Sequence, residues 1–344
     1  MMDPVLRLII IIASIIVVLI ILFTLVGITL IKKTFTRQDF VPGKMFLSYD
    51  DIKDTIARTE FKFKSGKNTL AGYIYAPESN ETIIYVHGMC AGHMCYLSDI
   101  IALVNKGYKV ITYDYTGTGS STGKYYKGLA QQKYDLIALF NYLNNNPYFL
   151  NQEYNLYGHS MGGYAVSGVA SKFSNIKRIV SISGFNNPHK FCIVCIRINT
   201  TKLISILMII PLRLGLFFLN GFKYNEEGIK CINKSNKDIL VIHGKMDEIV
   251  PLKYSIYNSK DKCTNKNAKF ILMEEEYHNK HNTVIASTDC VKYQEEIEKL
   301  FNEEIKKTND KSIAYKNIMD AVDRFKFNVA NDELIDVVDK FYRE

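Results

Sequence analysis

The sequence predicts an α/β fold: a mostly parallel sheet flanked by helices, with an inserted helical lid and an N-terminal transmembrane helix. Three observations lead there. Short apolar runs alternate with amphipathic stretches over most of the 344 residues. The runs are near-continuously apolar rather than alternating, as strands buried on both faces must be. Residues 8–31 contain no charged side chain.

That last run opens the chain. As a helix its roughly 24 residues would extend about 36 Å, enough to cross a bilayer with some tilt. A cleaved leader would have an apolar core of about 7–15 residues and a small-residue cleavage site. Neither is evident, so residues 1–35 read as an uncleaved anchor. Lys32, Lys33 and Arg37 follow the span, a bias that places the C-terminal bulk of the chain on the cytoplasmic side. Residues 36–58, polar and carrying Pro42 and Gly43, form a connector.

A single large α/β domain follows over 59–310. Residues 60–64 and 70–76 read as an antiparallel pair turning near Gly66. Strands are then expected at 82–86, 110–114, 154–157, 179–183, 239–242 and 270–273. Helices are expected near 95–106, 129–144, 162–173, 252–259 and 291–306. The rhythm breaks at about 185–235. There Leu203 to Leu219 is strongly apolar but interrupted by Pro211 and Arg213, which favours a lid over a second membrane span. Residues 311–344 read as a tail of one or two helices.

Composition narrows the function. A net charge of +8 comes from scattered lysines without any nucleic-acid motif, so solubility or attraction to anionic lipid explains it, and no nucleic-acid partner is expected. Seven cysteines spread along a long chain are no disulfide framework. The close pair Cys192 and Cys195 sits in an apolar stretch without partner ligands and reads as small hydrophobes. No metal site is expected.

The sharpest chemical signal is Gly158-His159-Ser160-Met161-Gly162-Gly163. A serine between glycines two residues away on either side fits a strained strand-to-helix turn, because side chains at those flanking positions would collide. A strand-like run precedes it and a helix-like run follows, so Ser160 would stand at a helix start, where backbone N–H groups face developing negative charge.

With these residues the chain resembles the α/β-hydrolase family over roughly residues 60–305. His87-Gly88-Met89 follows the strand at 82–86 where the family has an oxyanion turn. The resemblance implies the Met89 amide as one oxyanion donor and the Met161 amide as the second. His87 reads as a residue that holds this loop, and His93 carries no reading. Asp114 through Ser121 is similar to the family's D-x-x-G-x-G-x-S loop and lacks the fuller nucleotide fingerprints. Ile242-His243-Gly244-Lys245-Met246-Asp247 through Pro251 resembles the family's H-G-x-x-D-x-x-V-P segment, which implies Asp247 as the triad acid. Two histidines compete as base. The run from His281 through Ile285 is similar to the family's G-H-N-x-hydrophobic turn leading into the final helix, although Lys280 stands where the glycine would be. This favours His281, with His278 as the alternative. The tail from Phe327 to Tyr342 resembles the closing helix of bacterial members that carry an N-terminal hydrophobic segment, and no specific activity follows from it. As a whole, with its anchor and apolar lid, the chain resembles lysophospholipase- and monoacylglycerol-lipase-like members.

The order Ser160, Asp247, His281 is that of the family's triad. The resemblance implies a serine hydrolase that cleaves carboxylic esters through an acyl-enzyme, with no cofactor. An apolar lid beside a membrane anchor favours a small-molecule or lipid-like acyl ester as substrate. The alternatives are a peptidase, thioesterase or acyltransferase using the same triad, and a non-catalytic membrane-tethered binding module of the same fold.

Overall fold

Eight short segments supply the sheet: Arg58–Ser65 (β1), Asn68–Tyr75 (β2), Thr82–Val86 (β3), Lys109–Tyr113 (β4), Tyr154–His159 (β5), Ile176–Ile182 (β6), Asp238–Gly244 (β7) and Ala268–Met273 (β8). The computed structural model describes residues 2–41, 45–197, 201–221, 225–319 and 321–344. The strands lie in the order β1-β2-β4-β3-β5-β6-β7-β8. β1 and β2 form an antiparallel hairpin through Gly66 at φ +57°, a conformation that suits glycine. β2 meets β4 antiparallel, and the remaining neighbours are parallel. Every residue of β3, β4 and β5 is buried, which is why those runs lack alternation.

Helices cover both faces. The chain begins with α1 (Pro4–Thr34), and α2 (Leu97–Asn105), α3 (Gln131–Asn144) and α4 (Met161–Gly168) follow between strands. The region between β6 and β7 contains α5 (Pro188–Arg197), α6 (Lys202–Leu207), α7 (Ile209–Asn220) and α8 (Gly228–Asn233), and no strand among the described residues. After β8 come α9 (Thr288–Thr308), α10 (Lys311–Met319), α11 (Arg324–Phe327) and α12 (Asp332–Arg343).

Two elements differ from expectation. Residues 252–259 form two 3₁₀ turns, Leu252–Tyr254 and Tyr257–Lys262, instead of an α-helix. Ser255 separates them in an extended conformation: its backbone bridges to Phe185, and its hydroxyl accepts from the Asn258 amide at 3.1 Å. The carboxy-terminal segment has three helices, and α12 is built into the fold. Its Leu334, Ile335, Val338, Phe341 and Tyr342 join Leu97, Ile100 and Leu103 of α2 in the core on one face of the sheet. Tyr342 also donates its hydroxyl to the Leu156 carbonyl of β5 at 2.7 Å.

The core on the opposite face runs from α3 and α4 out to the 185–235 helices and to the end of α1. Leu212 and Leu216 of α7 are buried there with Phe185, Phe191, Met161 and Tyr164; complete burial of a leucine contributes about 2 kcal/mol. Below α8, the nearly inaccessible Lys133 of α3 pairs with Glu226 at 2.7 Å, and Tyr164 of α4 donates to the Glu226 carbonyl at 2.9 Å. α1 divides in two. Residues 4–23 are exposed throughout, whereas Thr24, Gly27 and Ile31, on one face by their spacing, are buried. Residues 202–220 are also long and apolar enough to cross a membrane by length and composition, although Arg213 lies among them.

Candidate active site

The site stands where β5, β7 and β8 end. Ser160 follows β5 with φ 58° and ψ −117°, a left-handed conformation that a side-chain-bearing residue rarely adopts and that costs of order 1–3 kcal/mol. The flanking glycines make the turn sterically feasible. A Cβ on Gly162 would lie 1.8 Å from the Val86 carbonyl oxygen, and one on Gly158 would lie 2.4 Å from the Gly162 carbonyl oxygen. The Ser160 amide donates to the Ile182 carbonyl at 2.8 Å, which ties the turn to β6.

Three of the expected residues meet. His281 Nε2 lies 2.9 Å from Ser160 Oγ, and His281 Nδ1 lies 2.7 Å from Asp247 Oδ2. An ionised carboxylate only accepts, so Nδ1 carries the imidazole proton and Nε2 is free to accept from the serine hydroxyl. Asp247 hangs in the turn after β7, where its Oδ1 accepts the Val250 amide at 2.7 Å and the Ile249 amide at 3.0 Å. Burial alone would raise its pKa. The hydrogen bond and charge of His281, with the Val250 amide and His243, outweigh burial and hold the carboxyl below its usual value.

His278 lies elsewhere. Its ring contacts the Thr283 carbonyl at 3.2 Å, Thr288 Oγ1 at 3.0 Å and the Asn331 amide at 3.2 Å. It pins the loop after β8 to the start of α9 and to the cap of α12.

Met161 occupies the first position of α4, where no earlier turn accepts its amide. Met89 follows Gly88, which is wedged between Ser160 and a tyrosine: a Cβ there would lie 3.1 Å from Ser160 Cβ and 2.3 Å from Tyr96 Oη. The loop bearing Met89 therefore passes directly over Ser160. His87 holds it from below, with Nδ1 2.8 Å from the Gly88 carbonyl, while Gln132 donates to the His87 carbonyl at 2.6 Å.

Further histidines brace the site without a part in the expected chemistry. His159 donates from Nε2 to the His281 carbonyl at 3.0 Å, and its Nδ1 accepts from the Tyr96 hydroxyl at 3.0 Å. Burial holds it neutral, with a pKa pulled down to about 3. His243 donates to the Val250 carbonyl at 3.0 Å and closes the turn that carries Asp247; burial lowers its pKa too. His93 bridges Asp114 Oδ1, 2.8 Å away, and the Tyr75 hydroxyl at 3.0 Å. Asp114 also accepts the amides of His93 and Ser120 at 2.9 Å, so its loop is folded around its own carboxylate. Sequence adjacency marks two of these three: His159 precedes Ser160, and His243 opens the segment that carries Asp247; His93 has no such signal.

Known proteins resemble this chain in sequence and shape. Residues 77–208 match the family described as serine aminopeptidase, S33. A 31.7 kDa protein from the traX-finO intergenic region of Escherichia coli is 32% identical over 132 residues, 37% of this chain and 45% of that one. The match thus spans less than half of that relative. A protein of Acanthamoeba polyphaga mimivirus is 24% identical over 208 residues, covering 59% of this chain and 68% of its own. Among solved structures, an esterase of Pyrococcus furiosus superposes with a TM-score of 0.55 at 19% identity, over 79% of this chain and 98% of the esterase. At that identity the likeness speaks for the fold.

Proposed function

We propose that this chain, an α/β-hydrolase by fold and motif, is a membrane-anchored serine esterase acting on lipid-like acyl esters. The observation that carries the reading is the unbroken line from Asp247 through His281 to Ser160, with links of 2.7 and 2.9 Å. In the proposed reaction His281 Nε2 takes the Ser160 proton as Oγ attacks the acyl carbonyl. The imidazolium that forms is stabilised by Asp247, which keeps its charge and takes no proton. The oxyanion faces the Met89 and Met161 amides, each contributing about 3 kcal/mol to the transition state. His281 then protonates the departing alcohol, and water repeats the sequence to release the acid.

The lipid-like substrate rests on the helices inserted between β6 and β7, which we read as a lid over the site. Their inner side is apolar at Leu212, Leu216 and Phe191, and their outer side leaves Leu203, Ile206 and Leu207 exposed. The anchor rests on the uniformly exposed first 20 residues of α1 and on the burial of Ile31 and Phe35 in the main core, a place a removable leader would not occupy. Lys32, Lys33 and Arg37 support a cytoplasmic catalytic domain.

A fluorophosphonate probe tests the nucleophile. Wild-type protein is expected to be labelled and Ser160→Ala to stay unlabelled, with kcat lowered by about 10⁴-fold or more. Equal labelling of the two proteins, or none of wild type, refutes the reading. The match to an aminopeptidase family favours amide cleavage as the second reading. A paired panel of acyl p-nitrophenyl esters and aminoacyl p-nitroanilides separates the two, and turnover confined to the anilides would replace esterase with peptidase.

A further inference from the structure

The anchor and the helices inserted between β6 and β7 are packed together. A Cβ on Gly27 of α1 would lie 1.8 Å from the Pro211 carbonyl oxygen of α7, and one on Gly215 would lie 2.6 Å from the Gly27 carbonyl carbon. The two helix backbones therefore touch, which only glycine at both places permits.

Their relative direction follows from what holds their carboxyl ends. Asn220, the last residue of α7, donates to the Lys127 carbonyl at 2.8 Å, while the Phe35 carbonyl just beyond α1 accepts the neighbouring Tyr126 amide at 3.0 Å. Both helices thus end at residues 126–127 and touch again near Gly27. They run side by side in the same sense, so the amino-terminal part of 202–220 points toward the amino end of α1.

The exposure pattern of α1 sets a boundary. Residues 4–23 have no burial at all, and 20 residues of helix span about 30 Å, the thickness of a bilayer's hydrocarbon core. From Thr24 onward the helix belongs to the folded domain. Pro211 is level with Gly27, just on the protein side of that boundary. From Pro211 back to Leu203 the chain covers about 12 Å of helix, through the start of α7 and then α6 beyond Met208, where Arg197 of α5 holds the buried Ser205 at 3.1 Å and the apolar side chains face outward. The side chains on this projecting tip are Leu203, Ile204, Ile206, Leu207 and Ile210, between 49% and 70% exposed. Lys202 stands at its end, exposed and long enough to reach a headgroup.

We infer that the tip formed by residues 202–210 is a second membrane-contacting element, seated shallowly in the leaflet where α1 enters it. The occupant of this apolar surface is the lipid bilayer. A helix clasped to a membrane-spanning helix at the boundary has no other medium on that side, and an apolar face with a terminal lysine is the composition of an interfacial helix. The inference rests on the anchor reading of α1. Its consequence is that the covering helices are held at the bilayer surface, so an acyl ester reaches Ser160 from the leaflet.

The sequence contains no tryptophan, so a single introduced one reports its own surroundings. Leu207→Trp and, separately, Ile15→Trp in the full chain are reconstituted into phosphatidylcholine–phosphatidylglycerol vesicles whose acyl chains are brominated either near the carbonyl end or near the chain middle. Ile15→Trp is expected to lose most of its emission with the deep bromine. Leu207→Trp is expected to lose most of its emission with the shallow bromine and less with the deep one. If Ile15→Trp is quenched and Leu207→Trp is not, the tip lies in water and the inference is overturned while the anchor stands. If neither is quenched, the anchor reading itself fails and the inference falls with it. Ile204→Trp repeats the measurement on the same tip and guards against a local defect at one position.

Discussion

Two places in this molecule bring backbone against backbone through glycine with equal closeness. At the turn bearing Ser160, the Gly162 Cβ position is 1.8 Å from the Val86 carbonyl oxygen; between α1 and α7, the Gly27 Cβ position is 1.8 Å from that of Pro211. The surroundings differ. Gly162 faces the end of β3, which is hydrogen-bonded to β5 as β5 is to β6, so neither side of the contact can retreat. Gly27 joins two helices that meet through side-chain packing rather than through a hydrogen-bonded sheet, so this contact has more room to yield. The same device therefore fixes a geometry at the site and, between α1 and α7, fastens one helix to another. Substitutions at the two places should separate these uses.

The largest effect belongs to the residue that the turn exists to serve. His281→Ala removes the group linking Ser160 to Asp247 and is expected to lower kcat/KM by about 10⁴-fold, roughly 5.5 kcal/mol of transition-state stabilisation. His278→Ala breaks the bonds to Thr288 and Asn331 and should cost about 1–3 kcal/mol of stability with kcat within about tenfold of wild type. Urea melts and steady-state kinetics on the pair of variants check this. The opposite pattern would transfer the base to His278 and dissolve the line of contacts described above.

Gly162→Ala comes next. The added methyl meets a backbone oxygen that the sheet holds in place, so the elbow must open and Ser160 must leave its position. An expected loss of about 3 kcal/mol or more in stability accompanies loss of fluorophosphonate labelling. A variant that melts and labels like wild type would show that the elbow is as yielding as the helix pair, and the contrast would vanish.

The same contrast explains what could be read before the fold was known. The elbow was legible because its parts are consecutive: Gly158, Ser160 and Gly162 sit on one turn, and the strand and helix around them have their own apolar signatures. Asp247 and His281 were legible through short segments at strand ends, although the choice between His281 and His278 depended on which one the loop turns toward Ser160. The clasp of Gly27 on Gly215 left no local trace, since its halves belong to segments separated by more than half the chain. His93, His159 and His243 escaped for a similar reason. Each acts through a partner in a loop beyond a strand end, Asp114, the His281 carbonyl and the Val250 carbonyl, and no residue spacing reveals such pairings. Residues 252–259 carried a helical pattern that the bridge of Ser255 to Phe185 overrides, a tertiary contact winning over a weak propensity.

The smallest expected effect tests the other half of the comparison. Gly27→Ala places a methyl as close to a carbonyl oxygen as Gly162→Ala does, but here the obstacle is a helix that can move. Alanine also favours the helical state over glycine by about 1 kcal/mol, which offsets part of the strain. The net change in stability is therefore expected to stay within about 1 kcal/mol, and turnover of a soluble short-chain p-nitrophenyl ester should match wild type, because nothing at Ser160 moves. What changes is the fit of the covering helices to the anchor. Turnover of a long-chain ester embedded in vesicles should fall relative to the soluble ester, since α7 no longer seats against α1 at the leaflet. Measuring both substrates on both proteins gives a ratio independent of enzyme concentration. A fall in that ratio without a change in melting separates fastening from folding. An unchanged ratio would mean that the closeness of Gly27 to Pro211 serves packing alone.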